Sequence, residues 1–216
     1  MTETPSSPTQ NKIPLSKNPI LWSAGFCILL AAAVVISLRP KEAALPPVLG
    51  SLPAFDLKDQ DGKTISLNDF KKSVSLVNFI FTTCPDVCPL LTAQMAKIQA
   101  RAKELEIPVK LASISVDPEN DTPDVLKVYA AKYHADLSNW SFLTGPLADI
   151  EKVVLQGFRV GLDRSATDIF DITHTEHFII LDEQARIRAY RRAPNNVEID
   201  KILNEVRTLV RHPSVP

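Results

Sequence analysis

Glycine and cysteine are scarce in this chain, and neither sign of charge is in surplus. Six glycines stand against seventeen prolines, so the loops are stiffened by proline more than loosened by glycine. Three cysteines in 216 residues cannot build a disulfide scaffold. A net charge of −1, with Lys and Arg scattered and not in blocks, gives no basis for nucleic-acid binding. There is no internal repeat, and no low-complexity tract beyond the first residues. No arginine precedes the apolar run near the start, which argues against a mitochondrial transit peptide. The length suits one ordinary domain with extensions.

Residues 1–17 are polar, with Pro5, Ser6, Ser7, Pro8 and Thr9, and are expected to form a disordered tail. Ile20 to Leu38 is free of charge and long enough to cross a bilayer as a helix. Trp22 suits the interface, and Lys17 and Arg39 bracket the run. Residues 18–39 are therefore read as a transmembrane anchor. A cleaved signal peptide is the rival, since Ala31-Ala32-Ala33 resembles a cleavage site, but the run continues through Val34-Val35-Ile36. Cys27 lies inside this run and reads as a small hydrophobe. Residues 40–53 read as a linker.

From residue 54 to 212 the pattern is that of one α/β domain. Phe55-Asp56-Leu57 and Thr64-Ile65-Ser66-Leu67 flank Asp61-Gly62, a hairpin signal. Val74 to Phe81 is an uncharged, β-branched and aromatic run, the mark of a strand buried on both faces. Leu91, Met95, Ile98, Ala102 and Leu105 then recur at helical spacing. Val109 to Val116 is a second buried strand, and Thr122-Pro123-Asp124 opens a helix with Thr122 as N-cap. Trp140 to Leu143 reads as a strand and Leu147 to Phe158 as a helix. Phe178 to Leu181 and Arg186 to Tyr190 form a final hairpin, before a helix over Val197 to Val210. Strands alternating with helices and ending in a hairpin predict a sandwich with a mixed central sheet, which a thioredoxin-like fold fits.

Chemistry concentrates in Thr83-Cys84-Pro85-Asp86-Val87-Cys88-Pro89, between the central strand and its helix. A residue before proline is pushed away from helical φ/ψ, so the expectation is Pro89 as first helical residue and Cys88 as N-cap. There the helix dipole would favour thiolate. The pair can oxidise to a disulfide or grip a soft metal such as Cu(I). Three residues separate the cysteines, one more than in thioredoxin-type oxidoreductases. Asp86 is read as a solvated or partner-contacting carboxylate, because it is a hard donor. Asp117 and Asp121 are read as turn formers, with Asp117 able to steady the cysteine loop from behind. Among the histidines, His134 and His212 read as solvated. His174 and His177 precede a buried strand, and spacing alone does not choose between them as a third ligand.

Phe81-Thr82-Thr83-Cys84-Pro85-Asp86-Val87-Cys88-Pro89 resembles the cysteine motif of the SCO/SenC family, the membrane-anchored, thioredoxin-like proteins of cytochrome oxidase copper-centre assembly. Ser115-Val116-Asp117-Pro118-Glu119-Asn120-Asp121-Thr122-Pro123 resembles its second motif. Ile172-Thr173-His174 with Phe178 to Asp182 resembles its metal-histidine segment, in which the histidine lies eight residues before the acid that opens the turn. That spacing selects His174. The similarity runs from about Leu52 to Val210. Thr83 departs from the family pattern, where many members carry histidine or another polar side chain.

The resemblance implies copper bound by the Cys84 and Cys88 thiolates and the His174 imidazole, as Cu(I) or, with an added oxygen ligand, Cu(II). It implies delivery to the dinuclear copper centre of a terminal cytochrome oxidase. The partners would be the copper-bearing oxidase subunit and another copper chaperone or a thioredoxin-like reductant. The place would be a bacterial inner membrane, crossed once, with the soluble domain in the periplasm. Because the family also contains thiol reductants, a thiol:disulfide oxidoreductase using Cys84 and Cys88 without His174 is the alternative. A peroxidase reading lacks a motif-placed arginine. A structural zinc site from Cys84, Cys88, His174 and His177 is interrupted by a whole α/β segment.

Overall fold

The uncharged run from Val74 forms the strand at the heart of the sheet, and all six of its residues, Ser75 to Ile80, are buried. The computed structural model describes residues 29–30, 45–85, 87–159, 177–192 and 196–213. Contacts divide the chain into two units, Met1–Ala43 and Ala44–Pro216. In the first unit only Leu29 and Leu30 are described, both helical and exposed. The tail expected over 1–17 and nearly all of the anchor expected over 18–39 thus lie outside the described residues. Among those residues no helix is long and apolar enough to cross a membrane.

In the second unit the elements are, in order, β1 (Gly50–Ser51), β2 (Asp56–Lys58), β3 (Thr64–Ser66), α1 (Leu67–Phe70), β4 (Ser75–Ile80), α2 (Val87–Glu104), β5 (Lys110–Ser115), α3 (Pro123–Lys132), β6 (Trp140–Leu143), α4 (Leu147–Glu151), β7 (His177–Leu181), β8 (Arg186–Arg192) and α5 (Asn196–Arg211). The main sheet has the order β1-β8-β7-β4-β5-β6. β4, β5 and β6 are parallel, joined by the crossovers α2 and α3, while β7 and β8 run antiparallel to their neighbours. This is the mixed, thioredoxin-like α/β sandwich expected from the sequence, with the N-terminal hairpin β2–β3 in place. Gly62, at φ 78°, takes the left-handed position of that hairpin's turn.

Alternation along β4 divides the core. Leu76 and Ile80 join a cluster with Leu91, Met95 and Ile98 of α2, Leu126 of α3, and Ile202 and Val206 of α5. Val77 and Phe79 face the other way, onto Leu57, Phe70, Val154 and Phe158. The β2–β3 hairpin also closes the free edge of β6. Gln60 Oε1 accepts from the Phe142 N–H at 2.9 Å, and Lys58 and Thr144 exchange backbone bonds of 2.7 and 2.8 Å.

Two elements differ from expectation. The helix predicted from Leu147 to Phe158 is α-helical only to Glu151, and Lys152–Phe158 continues as a π-helix. The wider turn buries Val153, Val154, Gly157 and Phe158 together. Gly157 makes this packing feasible, since a Cβ there would stand 2.7 Å from Pro53 Cδ. Secondly, much of the stretch read as a linker, 40–53, is folded onto the domain. Its residues Gly50 and Ser51 pair with Ile187 and Arg186, and Arg188 Nη1 donates to the Pro46 carbonyl at 2.6 Å.

Candidate functional site

Parallel β4 and β5 end at the same edge of the sheet, so the turns that follow them lie side by side. After β4 the chain makes a turn closed by the Cys84 N–H on the Phe81 carbonyl at 3.3 Å. α2 then begins at Val87, two residues earlier than expected. Cys88 is therefore not an N-cap but the second helical residue, and it is 2 % exposed. Proline at the third position is tolerated because first-turn N–H groups have no helical partner to lose.

Burial also overturns the expected electrostatics of Cys88. Removal from water pushes its thiol up to about 12, against the pull of the Phe81 backbone N–H and with a further push from the neighbouring Cys84. The helix start instead serves the other sulfur: the Cys88 N–H donates to Cys84 Sγ at 3.4 Å. Cys84 is half-buried, and no disulfide joins the two thiols. The pair is asymmetric, with Cys84 reachable from solvent and Cys88 set into the cluster of Leu91 and Met95.

Behind the cysteine turn lies a buried carboxylate, that of Asp121, expected like Asp117 to form a turn. Asp117 caps its own turn, taking the Asn120 side chain at 2.9 and 3.1 Å. Asp121 is fully buried. It accepts the Thr82 N–H at 3.1 and 3.2 Å, the Thr82 hydroxyl at 2.5 Å and the Ser115 hydroxyl at 2.5 Å. The signal in sequence was a pair of serines, Ser113 and Ser115, among the buried residues of β5. Ser113 Oγ donates to Asn78 Oδ1 at 2.7 Å and receives the Trp140 indole N–H at 3.0 Å. Next to Cys88, the Thr92 and Tyr129 hydroxyls meet at 2.9 Å.

His177 is the first residue of β7 and half-buried. β7 pairs antiparallel to β4, with Val77 opposite Ile179, so His177 lies toward the sheet end where β4 gives way to the cysteine turn. His174 and Asp86 lie outside the described residues. His134 lies two residues beyond the end of α3, in a left-handed conformation, φ 54°, and is exposed. Among the described residues no group of three His, Cys, Asp or Glu side chains converges as a metal site.

A thioredoxin-like sheet with a Cys-x3-Cys pair at the mouth of the helix after its central strand defines a dithiol protein of the thioredoxin class. Within that class, the SCO1/SenC family profile matches residues 49–211, and the chain belongs to this family. A solved SCO1/SenC family lipoprotein from Bacillus anthracis is 34 % identical, with TM-score 0.68, over 77 % of this chain and 99 % of its own. BsSco, described as having a disulfide switch and as a member of the Sco family of cytochrome c oxidase assembly proteins, is 33 % identical. Its TM-score is 0.66 over 77 % of this chain and 98 % of its own. ScoI of Bradyrhizobium japonicum, solved with copper bound, is 27 % identical, with TM-score 0.58 over 72 % and 99 %.

Proposed function

We propose that this protein binds copper through Cys84, Cys88 and His174 and delivers it to the dinuclear copper centre of a terminal cytochrome oxidase. The observation that carries the reading is the sulfur pair itself: two thiols at one helix mouth, one buried and one reachable, in a chain of the SCO1/SenC family. Soft sulfur with an imidazole suits Cu(I). The reachable Cys84 suits ligand exchange with an incoming partner. Residues 54–212 carry this chemistry, 40–53 lead into it, and residues 18–39 hold it to a bacterial inner membrane with the domain in the periplasm. The tail 1–17 lies on the other side. The copper-bearing oxidase subunit is the recipient, and another copper chaperone or a thioredoxin-like reductant prepares the protein.

Anaerobic titration of the reduced chain with Cu(I), beside Zn(II), tests this. One tight Cu(I) site that disappears in Cys84→Ser and weakens in His174→Ala is the expected result; a chain that prefers Zn(II), or binds neither, refutes it.

The asymmetry of the thiols favours a second reading, reduction of the target's cysteines. In that reaction Cys84 attacks the target disulfide and Cys88 resolves the mixed disulfide. The chain loses two electrons and two protons, and the target gains two thiols. His174→Ala separates the two: it leaves exchange rates intact in a pure reductant but impairs copper retention in a carrier.

A further inference from the structure

We infer that Asp121 is a positioning residue for the cysteine turn, holding Cys84 where it meets Cys88. This rests on the reading of Cys84 and Cys88 as the working thiols. The carboxylate is 0 % exposed, and both of its oxygens are used. Oδ1 takes the Thr82 N–H and hydroxyl, and Oδ2 takes the Thr82 N–H and the Ser115 hydroxyl. Thr82 lies thirty-nine residues away in sequence and two before Cys84. The anchor at the other end is firm: Ser115 is the last residue of β5, and its Oγ also receives the Asp117 N–H at 3.0 Å. None of the ion pairs among the described residues involves Asp121. Its donors are one backbone amide and two hydroxyls, which fix direction as well as distance.

The consequence is geometric. The turn from Phe81 to Cys84 carries a backbone bond of its own, at 3.3 Å, and the Cys88 N–H donates to Cys84 Sγ at 3.4 Å. With Thr82 tied to Asp121 by its N–H and its hydroxyl, and Asp121 tied to the end of β5 by the Ser115 hydroxyl, the adjoining turn inherits the rigidity of the sheet. Asp117 does not share this role, since its side chain is spent on Asn120.

The test compares the full reduced chain with Asp121→Asn, Thr82→Val, Thr82→Ser and Val206→Ala. Val206 is a buried α5 residue that serves as a control for destabilisation as such. Two readouts are taken: Cu(I) affinity by chelator competition, and the equilibrium constant for forming the Cys84–Cys88 disulfide against glutathione. Asp121→Asn is expected to weaken Cu(I) binding about 10- to 100-fold. It should also disfavour the disulfide at least about threefold, because a loosened turn lowers the effective concentration of one thiol at the other. Thr82→Val should move both readouts in the same direction and Thr82→Ser should restore them, while Val206→Ala leaves both unchanged.

If Asp121→Asn and Thr82→Val match the parent in both readouts, or if Val206→Ala shifts them equally, the positioning role is wrong. Should the parent itself bind no Cu(I), the copper reading falls and the glutathione equilibrium alone decides the role of Asp121. If Asp121→Asn fails to fold, the two Thr82 variants carry the same decision.

Discussion

Alkylation of the native, reduced protein is expected to stop at one cysteine. Cys88 is 2 % exposed, and its thiol is pushed up to about 12. At pH 8 about one Cys88 in ten thousand is then thiolate, whereas an unperturbed thiol near 8.5 is about one-quarter ionised. Ionisation alone slows Cys88 by about two thousandfold relative to the unfolded chain, and burial slows it further. Cys84 is only half-buried, so its steric barrier is lower. Iodoacetamide in the native state, followed by mass spectrometry of peptides, reads the two rates separately. Single modification at Cys84 is expected, with Cys88 labelled only after guanidinium is added. Comparable native-state rates at the two positions would refute the burial of Cys88, and with it the asymmetric site.

Asp182 receives the Arg186 and Arg188 side chains at 2.8 and 2.7 Å and is itself 3 % exposed. Burial raises its carboxyl, but the Arg186 and Gln184 amides and the two guanidinium groups outweigh that and hold it below the usual range. Asp182→Asn should cost about 3 kcal/mol in urea unfolding, since it leaves Arg188 buried against a neutral group. Because the folded carboxyl is depressed, its contribution is present above the unfolded value of about 3.9 and is lost as pH falls through the folded one. Acid titration of stability should therefore show the Asp182→Asn deficit shrinking below about pH 4. Gly157→Ala would bring a methyl to 2.7 Å from Pro53 and should destabilise by about 1–3 kcal/mol, measured as a lowered Tm.

Periodicity and turn chemistry were enough for the sheet and its crossovers. β4 announced itself as an uncharged run, β5 as a second buried strand, Thr122 and Pro123 as a helix start, and Asp61-Gly62 as a hairpin. The failures share a cause: tertiary packing overrode a local preference. Cys88 precedes proline and was expected outside the helix, yet its side chain is wanted in the cluster with Leu91 and Met95, which draws it into the first turn. The π-helical Lys152–Phe158 answers to Pro53, a contact across about a hundred residues that no window of sequence contains. β1 is a two-residue strand whose existence depends on β8. Asp121 carried the same local signals as Asp117, and only the approach of two distant turns distinguishes them.

The two sulfurs should also differ in what their loss does to the fold, a contrast that ligand affinity cannot supply because either serine would impair a two-sulfur site. Cys88 belongs to the core cluster, so Cys88→Ser places a hydroxyl among Leu91 and Met95. An unsatisfied hydroxyl there costs about 1–3 kcal/mol. The Phe81 N–H already directed at this sulfur would satisfy part of it, which favours the lower end. Cys84 is half-buried at the edge of the same cluster, so Cys84→Ser should cost less than Cys88→Ser. Urea melts of the reduced, metal-free variants decide it. If both substitutions destabilise equally, Cys88 is not a core residue. The division of labour, with one sulfur holding and one exchanging, would then lose its structural basis.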